Sequence, residues 1–470
     1  MSNILTNYRS FLKAFSVVLL AFPYCAYGLA DDGRTKPNIV FILADDLGRY
    51  QLSSYGSKFY ETPNIDRLVK EGVRFTNAYA AAPICSPTRA SIMTGKYPAR
   101  LHLTDFIPGG NPKDKKLITP DWQKHLPLKE VTIAESLKNA GYVTGHFGKW
   151  HLNVDKKYKP GRPGDPGSQG FDDVLTTHKP GAGPKSMYDE DWHHVREITE
   201  RSIAFIQNNK NKPFFCYVTH NSIHSPEIEK KALVEKYATK PEAKTNKRNN
   251  PKQAAMLETL DKSVGTILMT LEKLGLEKNT IVFFYSDNGQ LGPKNGKPFR
   301  GSKGDLYEGG IRMPLIIKWP GVITPGSECG EVVISNDFFP TITAIAGGSS
   351  TAKDVDGINF LPLLKNSGAK LNREAVYWHF PHYHSLGLGP QGAVRMGRYK
   401  LIEWFERSAY DQANAFELYD LIKDPGEQRN LADTMPEVTA KLKEKLNAWK
   451  KRIGAQLMTK RKSQKVEPQR

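Results

Sequence analysis

Three stretches of the chain are unbroken runs of apolar residues: Asn38 to Ala44, Pro213 to Thr219 and Thr280 to Ser286. A strand wetted on one face alternates apolar and polar positions. A run without alternation predicts a strand buried on both faces, as in a mostly parallel sheet. Two of these runs end abruptly in polar residues, Asp45-Asp46 and Asp287-Asn288-Gly289. Helical spacing lies between the runs. Ile65 to Glu71 predicts a short helix closed by Gly72. Thr132-Ile133-Ala134-Glu135 is a capping box that opens a helix ending at Gly141. Trp192 to Asn208 and Lys252 to Leu274 carry the 3.6-residue period. Alternating strands and helices predict an α/β layered fold. Ligands of such sheets bind at the carboxyl ends of the strands, where Asp45, Asp46, Asp287 and Asn288 fall.

The pattern changes after about Leu364. Short runs at Glu374–Trp378 and Tyr399–Ile402 predict antiparallel strands, and a terminal helix follows from Pro436 to Arg452. The expected organisation is a larger domain over residues 31–364 and a smaller one over 365–470. The Lys/Asn-rich stretch from Glu227 to Asn250 reads as a surface excursion. Residues 1–30 have a different logic. Arg9 and Lys13 precede an apolar run from Phe15 to Phe22, and small residues follow at Gly28 and Ala30. This is the layout of a signal peptide cleaved near Ala30. The run is too short for a span of ~20 residues. The expectation is an exported protein, periplasmic or secreted, without stable membrane insertion.

Charge and cysteines narrow the chemistry. The formal net charge is +18 over 470 residues, and residues 441–470 hold eleven Lys/Arg against two Glu. There is no zinc-finger spacing and no aromatic ribonucleoprotein motif, so nucleic acid is not the expected partner. In an exported protein, positive charge fits an anionic substrate. Of four cysteines, Cys25 falls in the leader, and an odd set remains, which cannot be a complete disulfide framework. Cys216 lies in an apolar run and reads as core. Cys329 lies in a turn-rich stretch.

Cys85 is distinguished by its neighbours, Pro83-Ile84-Cys85-Ser86-Pro87-Thr88-Arg89-Ala90-Ser91-Ile92-Met93-Thr94-Gly95. Pro87 suits the first turn of a helix and Gly95 its end. Cys85 then sits at a helix N-terminus, which favours an anion, with Arg89 one turn on. This reads as an anion site with a reactive cysteine. Asp45, Asp46, Asp287 and Asn288 together offer hard oxygen ligands, suited to calcium or magnesium rather than zinc. Taken singly, each also has a plain reading: turn carboxylates for the aspartates, a core histidine for His151, surface lysines for Lys149 and Lys303.

Cys85-Ser86-Pro87-Thr88-Arg89, extended through Gly95, resembles the C-x-P-x-R signature of the type I, formylglycine-dependent sulfatases. Further segments resemble that family in order: Asn38 to Asp46, Gly148-Lys149-Trp150-His151, His220 to Pro226 with His224 as the match, and Tyr285 to Gly289. Lys303 with Tyr307 to Pro314, and Glu417 to Asp420 with Asp424 to Glu427, continue the series. The resemblance spans roughly residues 37–433. It implies an alkaline-phosphatase-like fold: a large mixed sheet flanked by helices, plus a smaller C-terminal part with an antiparallel sheet and terminal helix. It also implies that Cys85 is oxidised by a formylglycine-generating maturation enzyme, the hydrated aldehyde being the nucleophile. Asp45, Asp46, Asp287, Asn288 and the modified Cys85 would hold Ca2+, with Mg2+ as the other candidate. Asp287 would act as base, His224 would protonate the leaving oxygen and His151 would orient the hydrate. Lys149 and Lys303 would neutralise charge, and Arg89 would hold the formylglycine. Arg312 reads as structural.

The segment Trp378 to His384 offers aromatic faces and imidazoles, which suit sugars, and His382 or His384 is expected at the pocket mouth. The leading function is sulfate-ester hydrolysis on a sulfated polysaccharide or oligosaccharide. The alternatives are a phosphonate or phosphodiester hydrolase of the same superfamily and a non-catalytic binder of sulfated glycans.

Overall fold

The three apolar runs are adjacent strands at the centre of an eight-stranded sheet. In a computed structural model, residues 36–110, 112–155, 157–180, 191–348 and 351–461 are described; the segment expected to be a signal peptide lies outside the described residues. Across the sheet the strands run Asp173–Thr176, Val143–Gly148, Phe214–Thr219, Asn38–Ala44, Thr280–Ser286, Arg312–Lys318, Val73–Tyr79 and Ser327–Ile334. Neighbours from Asp173–Thr176 through to Thr280–Ser286 pair in parallel. Arg312–Lys318 is antiparallel to both of its neighbours, which makes the sheet mixed.

The absence of alternation in Asn38–Ala44 has a direct cause. Ile39, Phe41 and Leu43 point into one apolar core, while Val40, Ile42 and Ala44 point into another on the opposite face. The helices Cys85–Thr94, Ile133–Asn139 and Phe338–Ile345 cover the first core. The helices Pro63–Glu71, Val195–Asn208 and Pro251–Lys273 cover the second. Burying each large aliphatic or aromatic side chain contributes roughly 1.5–3 kcal/mol. Phe41 stacks on Phe283 at 5.5 Å and meets Tyr217 edge-on at 5.6 Å, so its loss would open a cavity across three strands.

Thr132 accepts from the amide of Glu135, and Glu135 reaches back to the Thr132 amide, so the predicted capping box is present. The Glu227–Asn250 excursion is more ordered than its composition suggests. It contains the helix Lys231–Ala238, anchored by Tyr237, which is buried and donates to Glu258 at 2.8 Å. Toward the C-terminus, Ala375–Phe380, Gln391–Met396, Tyr399–Trp404 and Phe416–Asp420 form an antiparallel meander. The helix Pro436–Arg452 packs on it through Trp449, stacked on Tyr377 at 4.9 Å. Among the described residues, no helix is long and apolar enough to cross a membrane.

Candidate active site

Parallel strands deliver their carboxyl ends to one edge, and the polar residues named above follow those ends. Backbone bonds lock the loops together there. His220 N donates to Leu43 O at 2.9 Å, Asp45 N to Ser222 O at 2.9 Å, and Ile223 N to Asp45 O at 2.7 Å. Lys149 N donates to Thr219 O at 2.8 Å and Asp287 N to Ala44 O at 3.3 Å. The helix Cys85–Thr94 opens at the same edge with Cys85 as its first residue, and every residue in it is buried. Ile107 N donates to Ser86 Oγ at 3.1 Å, which holds the 105–110 segment against this helix.

The side chains interlock. Lys149 Nζ lies 2.6 Å from Asp45 Oδ2, and Lys303 Nζ lies 2.6 Å from Asp46 Oδ1 and 3.4 Å from Cys85 Sγ. Arg89 lies one turn along from Cys85 on the same helix, and its Nη2 has no hydrogen-bond partner. Its Nε donates to Asp287 Oδ2 at 2.8 Å and its Nη1 to Lys149 O at 2.7 Å. Asn288 Nδ2 donates to Asp46 Oδ1 at 2.8 Å. His224 Nε2 faces Asp46 Oδ2 at 3.7 Å, while its Nδ1 bonds Ser225 O at 2.6 Å. His151 Nε2 bonds Ile107 O at 2.6 Å.

Burial works to raise every carboxylate here, and the neighbouring cations decide which ones escape that effect. Asp45 is held well below the usual range because Lys149, His224, Arg89 and Lys303 outweigh its desolvation. Asp46 is lowered likewise, chiefly by His224 and Lys303 against burial. Asp287 is pushed up to about 7 by burial and by the charge of Asp45, despite Arg89. Burial raises the Cys85 thiol to about 12 and lowers His224 to about 4. An unmodified Cys85 is therefore a poor thiolate, which argues against plain cysteine nucleophilicity.

A metal fits this arrangement. Asp45 Oδ1, Asp46 Oδ2 and Asn288 Oδ1 are buried oxygens without a hydrogen-bond partner. Buried oxygens grouped in this way suit a hard cation. Ligand atoms of Asp45, Asp46, Cys85 and His224 lie within 4.8 Å of one another. Both Asp287 oxygens are engaged, one by Arg89 and the other by the Asp46 amide at 3.3 Å.

A cavity of about 500 Å³ opens over this cluster, lined by Asp46, Cys85, Lys149, His151, His224 and Lys303 among others. His384 also lines it, but His382 does not. His382 is 1% exposed, bonded to Thr104 Oγ1 at 2.8 Å and packed on Trp122, so it lies behind the wall. Phe106, Asn153 and Lys179 contribute to the lining and were not singled out from sequence. They stand on loops without a motif. The only available signal was position, since Lys179 follows the end of a strand that the sequence pattern does not reveal.

The family pattern described as Sulfatase matches residues 37–348, and that described as N-sulphoglucosamine sulphohydrolase, C-terminal, matches 302–452. A "Sulfatase" of Formosa agariphila is 32% identical over 94% of both chains. Human arylsulfatase A is 32% identical over 87% of this chain and 86% of its own. The crystal structure of Ps i-CgsB in complex with k-i-k-neocarrahexaose superposes with a TM-score of 0.73 at 26% identity, covering 88% of this chain and 93% of the other.

Proposed function

The chain belongs to the sulfatase family of sulfuric ester hydrolases, and from that premise we propose that it removes sulfate from a sulfated carbohydrate by way of a modified Cys85. One observation carries the residue assignment. Lys303 contacts both Cys85 and Asp46 on the floor of the cavity, next to a group of three buried oxygens without a hydrogen-bond partner.

Asp45, Asp46, Asp287, Asn288 and the Cys85 side chain would hold a divalent cation, Ca2+ by the expectation above. When bound, the cation would supply a Lewis acid for a sulfate oxygen, and the modified Cys85 would supply a hydrated aldehyde as nucleophile. The remaining work belongs to side chains already in position. Lys149 and Lys303 neutralise negative charge that builds on the sulfuryl oxygens. Asp287 would accept a proton from the attacking hydroxyl. His224 Nδ1 donates to Ser225 O, which leaves Nε2 facing the cavity, and from there the ring would protonate the leaving oxygen once it is itself protonated. His151 is fixed through Nε2 on Ile107 O, leaving Nδ1 to orient the nucleophile. Arg89 fixes Asp287 and the Lys149 backbone.

The carbohydrate reading draws support from the structural relative bound to neocarrahexaose and from His384 and Phe106 in the cavity wall. Export through the leader and maturation by a formylglycine-generating enzyme complete the proposal. A binding-only protein has no use for buried acid and base groups, and nothing in the cavity favours a phosphonate ester.

The test is sulfate release from a panel of sulfated glycans, with protein matured in a formylglycine-generating host and a Cys85→Ala control. Release by the wild type alone is expected. If Cys85 is fully converted by peptide mass and only aryl sulfates are cleaved, the carbohydrate assignment fails.

A further inference from the structure

The charged lining of the cavity is balanced except at one position. Lys149 and Lys303 each stand beside a carboxylate, respectively Asp45 and Asp46. Lys179 shares the same lining but makes no hydrogen bond or ion pair with any described residue. It is exposed, so its ammonium stands at the rim rather than on the floor. Its backbone position is determined. Thr177 N donates to Gly148 O at 2.9 Å, and Asn221 Nδ2 donates to Thr177 Oγ1 at 2.7 Å. These bonds hold the segment after strand Asp173–Thr176 beside the loops that carry Lys149 and His224.

An exposed lysine on an open surface is solvated and needs no partner. Lys179 instead lines the same cavity as two other ammonium groups, Lys149 and Lys303. Partial burial, then Lys149 and Lys303, weaken its hold on its proton, and the weaker pull of Asp45 and Asp46 does not cancel them. A cation placed in that field gains from any anion that enters the rim. The scissile sulfate goes to the floor, where Cys85, Lys149 and Lys303 meet. It does not answer a charge at the rim.

We propose that Lys179 is a specificity residue that binds a second anionic group of the substrate, a carboxylate or another sulfate close to the ester being cleaved. The preferred substrates are then polyanionic glycans, with uronate or multiply sulfated units. This deepens the carbohydrate reading above and rests on the same cavity. The physical part of it, a preference for a second charge, does not depend on the substrate being a sugar.

The test uses two chromogenic esters that differ by one carboxylate, 4-nitrophenyl sulfate and 2-carboxy-4-nitrophenyl sulfate. The matured wild type, Lys179→Met and Lys179→Arg are compared by the ratio of kcat/KM for the two esters. That ratio cancels differences in maturation and folded fraction between preparations. Lys179→Met is expected to lower the ratio for the carboxylated ester about three- to five-fold, the upper end of what an exposed ion pair contributes. Lys179→Arg is expected to restore most of it. The wild-type preference should also shrink as salt is raised, because an exposed pair is screened. A ratio equal in wild type and Lys179→Met, or one insensitive to salt, overturns the proposal. Failure of the carbohydrate reading shows separately, as absence of sulfate release from glycans while the aryl ratio remains readable.

Discussion

At the scale of single residues, the site is a set of buried charges that satisfy one another only in part. Asp46 Oδ1 receives Lys303 and Asn288, yet Asp46 Oδ2 has no hydrogen-bond partner. Asp45 divides in the same way, with Lys149 on Oδ2 and nothing bonded to Oδ1. A cation that takes the orphaned oxygens binds the folded chain and not the unfolded one, and so stabilises it. The gain is roughly 2.7 kcal/mol at a hundred-fold excess over the dissociation constant. Thermal melting of the apo protein should therefore move upward with added Ca2+. Asp46→Asn removes one of the charges and should abolish most of that shift. An equal Ca2+ shift in both proteins would remove Asp46 from the binding set. The residue scale also shows where sequence reading ends. Cys85, Lys149, His151, His224 and Lys303 were legible because each sits in a distinctive segment. The pairing of Lys149 with Asp45 and of Lys303 with Asp46 was not, because it depends on how separate loops meet. His382 and His384 are two residues apart in one aromatic stretch, and only the backbone decides which of them faces the cavity.

At the scale of elements, position of the site depends on how closely the strand ends approach. Gly148 ends the strand Val143–Gly148 with φ 121°, and a Cβ there would lie 1.8 Å from Thr219 O. That carbonyl accepts the Lys149 amide. Gly148→Ala should therefore push apart the two strands that carry Lys149 and His224. The cost should exceed about 3 kcal/mol, with activity lost in whatever remains folded. Gly141→Ala is the control. It also has positive φ, 86°, but a Cβ there would meet nothing within 4 Å. Its cost should be about 1 kcal/mol, from backbone strain alone. Urea unfolding of the two variants separates these cases, and equal destabilisation would mean that strain rather than contact sets the penalty. The same strand explains an omission in the sequence reading. Val143-Thr144-Gly145-His146-Phe147-Gly148 is neither an apolar run nor a regular alternation. It is a strand because its neighbours on both sides supply partners, Phe214–Thr219 and Asp173–Thr176. Asn38–Ala44 and Thr280–Ser286, by contrast, were legible end to end because both of their faces are buried.

At the scale of the whole molecule, a buried ionic cluster joins the C-terminal meander to the main sheet. Lys400, on the strand Tyr399–Trp404, lies 2.8 Å from Glu308 and 2.7 Å from Glu427. Tyr79 donates to Glu308 at 2.7 Å, and Arg395 reaches the Tyr79 hydroxyl. One lysine shared by two buried carboxylates cannot hold both of them ionised with equal ease. Glu308, also near Arg312, is lowered to about 2 although burial opposes it. Glu427 is pushed up to about 7 by burial and by the charge of Glu308, against the pull of Lys400. The sign of the linkage follows. Below the ordinary glutamate range both the folded and unfolded chains keep this proton. Between that range and about 7 the unfolded chain has released it and the folded chain has not, so stability falls as pH rises. Glu427→Gln keeps the shape of the side chain and cannot ionise, so it should flatten that fall by an amount on the order of 1–3 kcal/mol. Other raised groups, Asp105 and Asp287 among them, contribute slopes of the same sign to both proteins. The informative quantity is therefore the difference between wild type and variant in urea midpoint at pH 5 and pH 7.5. Parallel pH profiles would show that Glu427 is already ionised in the folded chain. The meander would then be held to the main sheet by a lysine fully charged against two carboxylates.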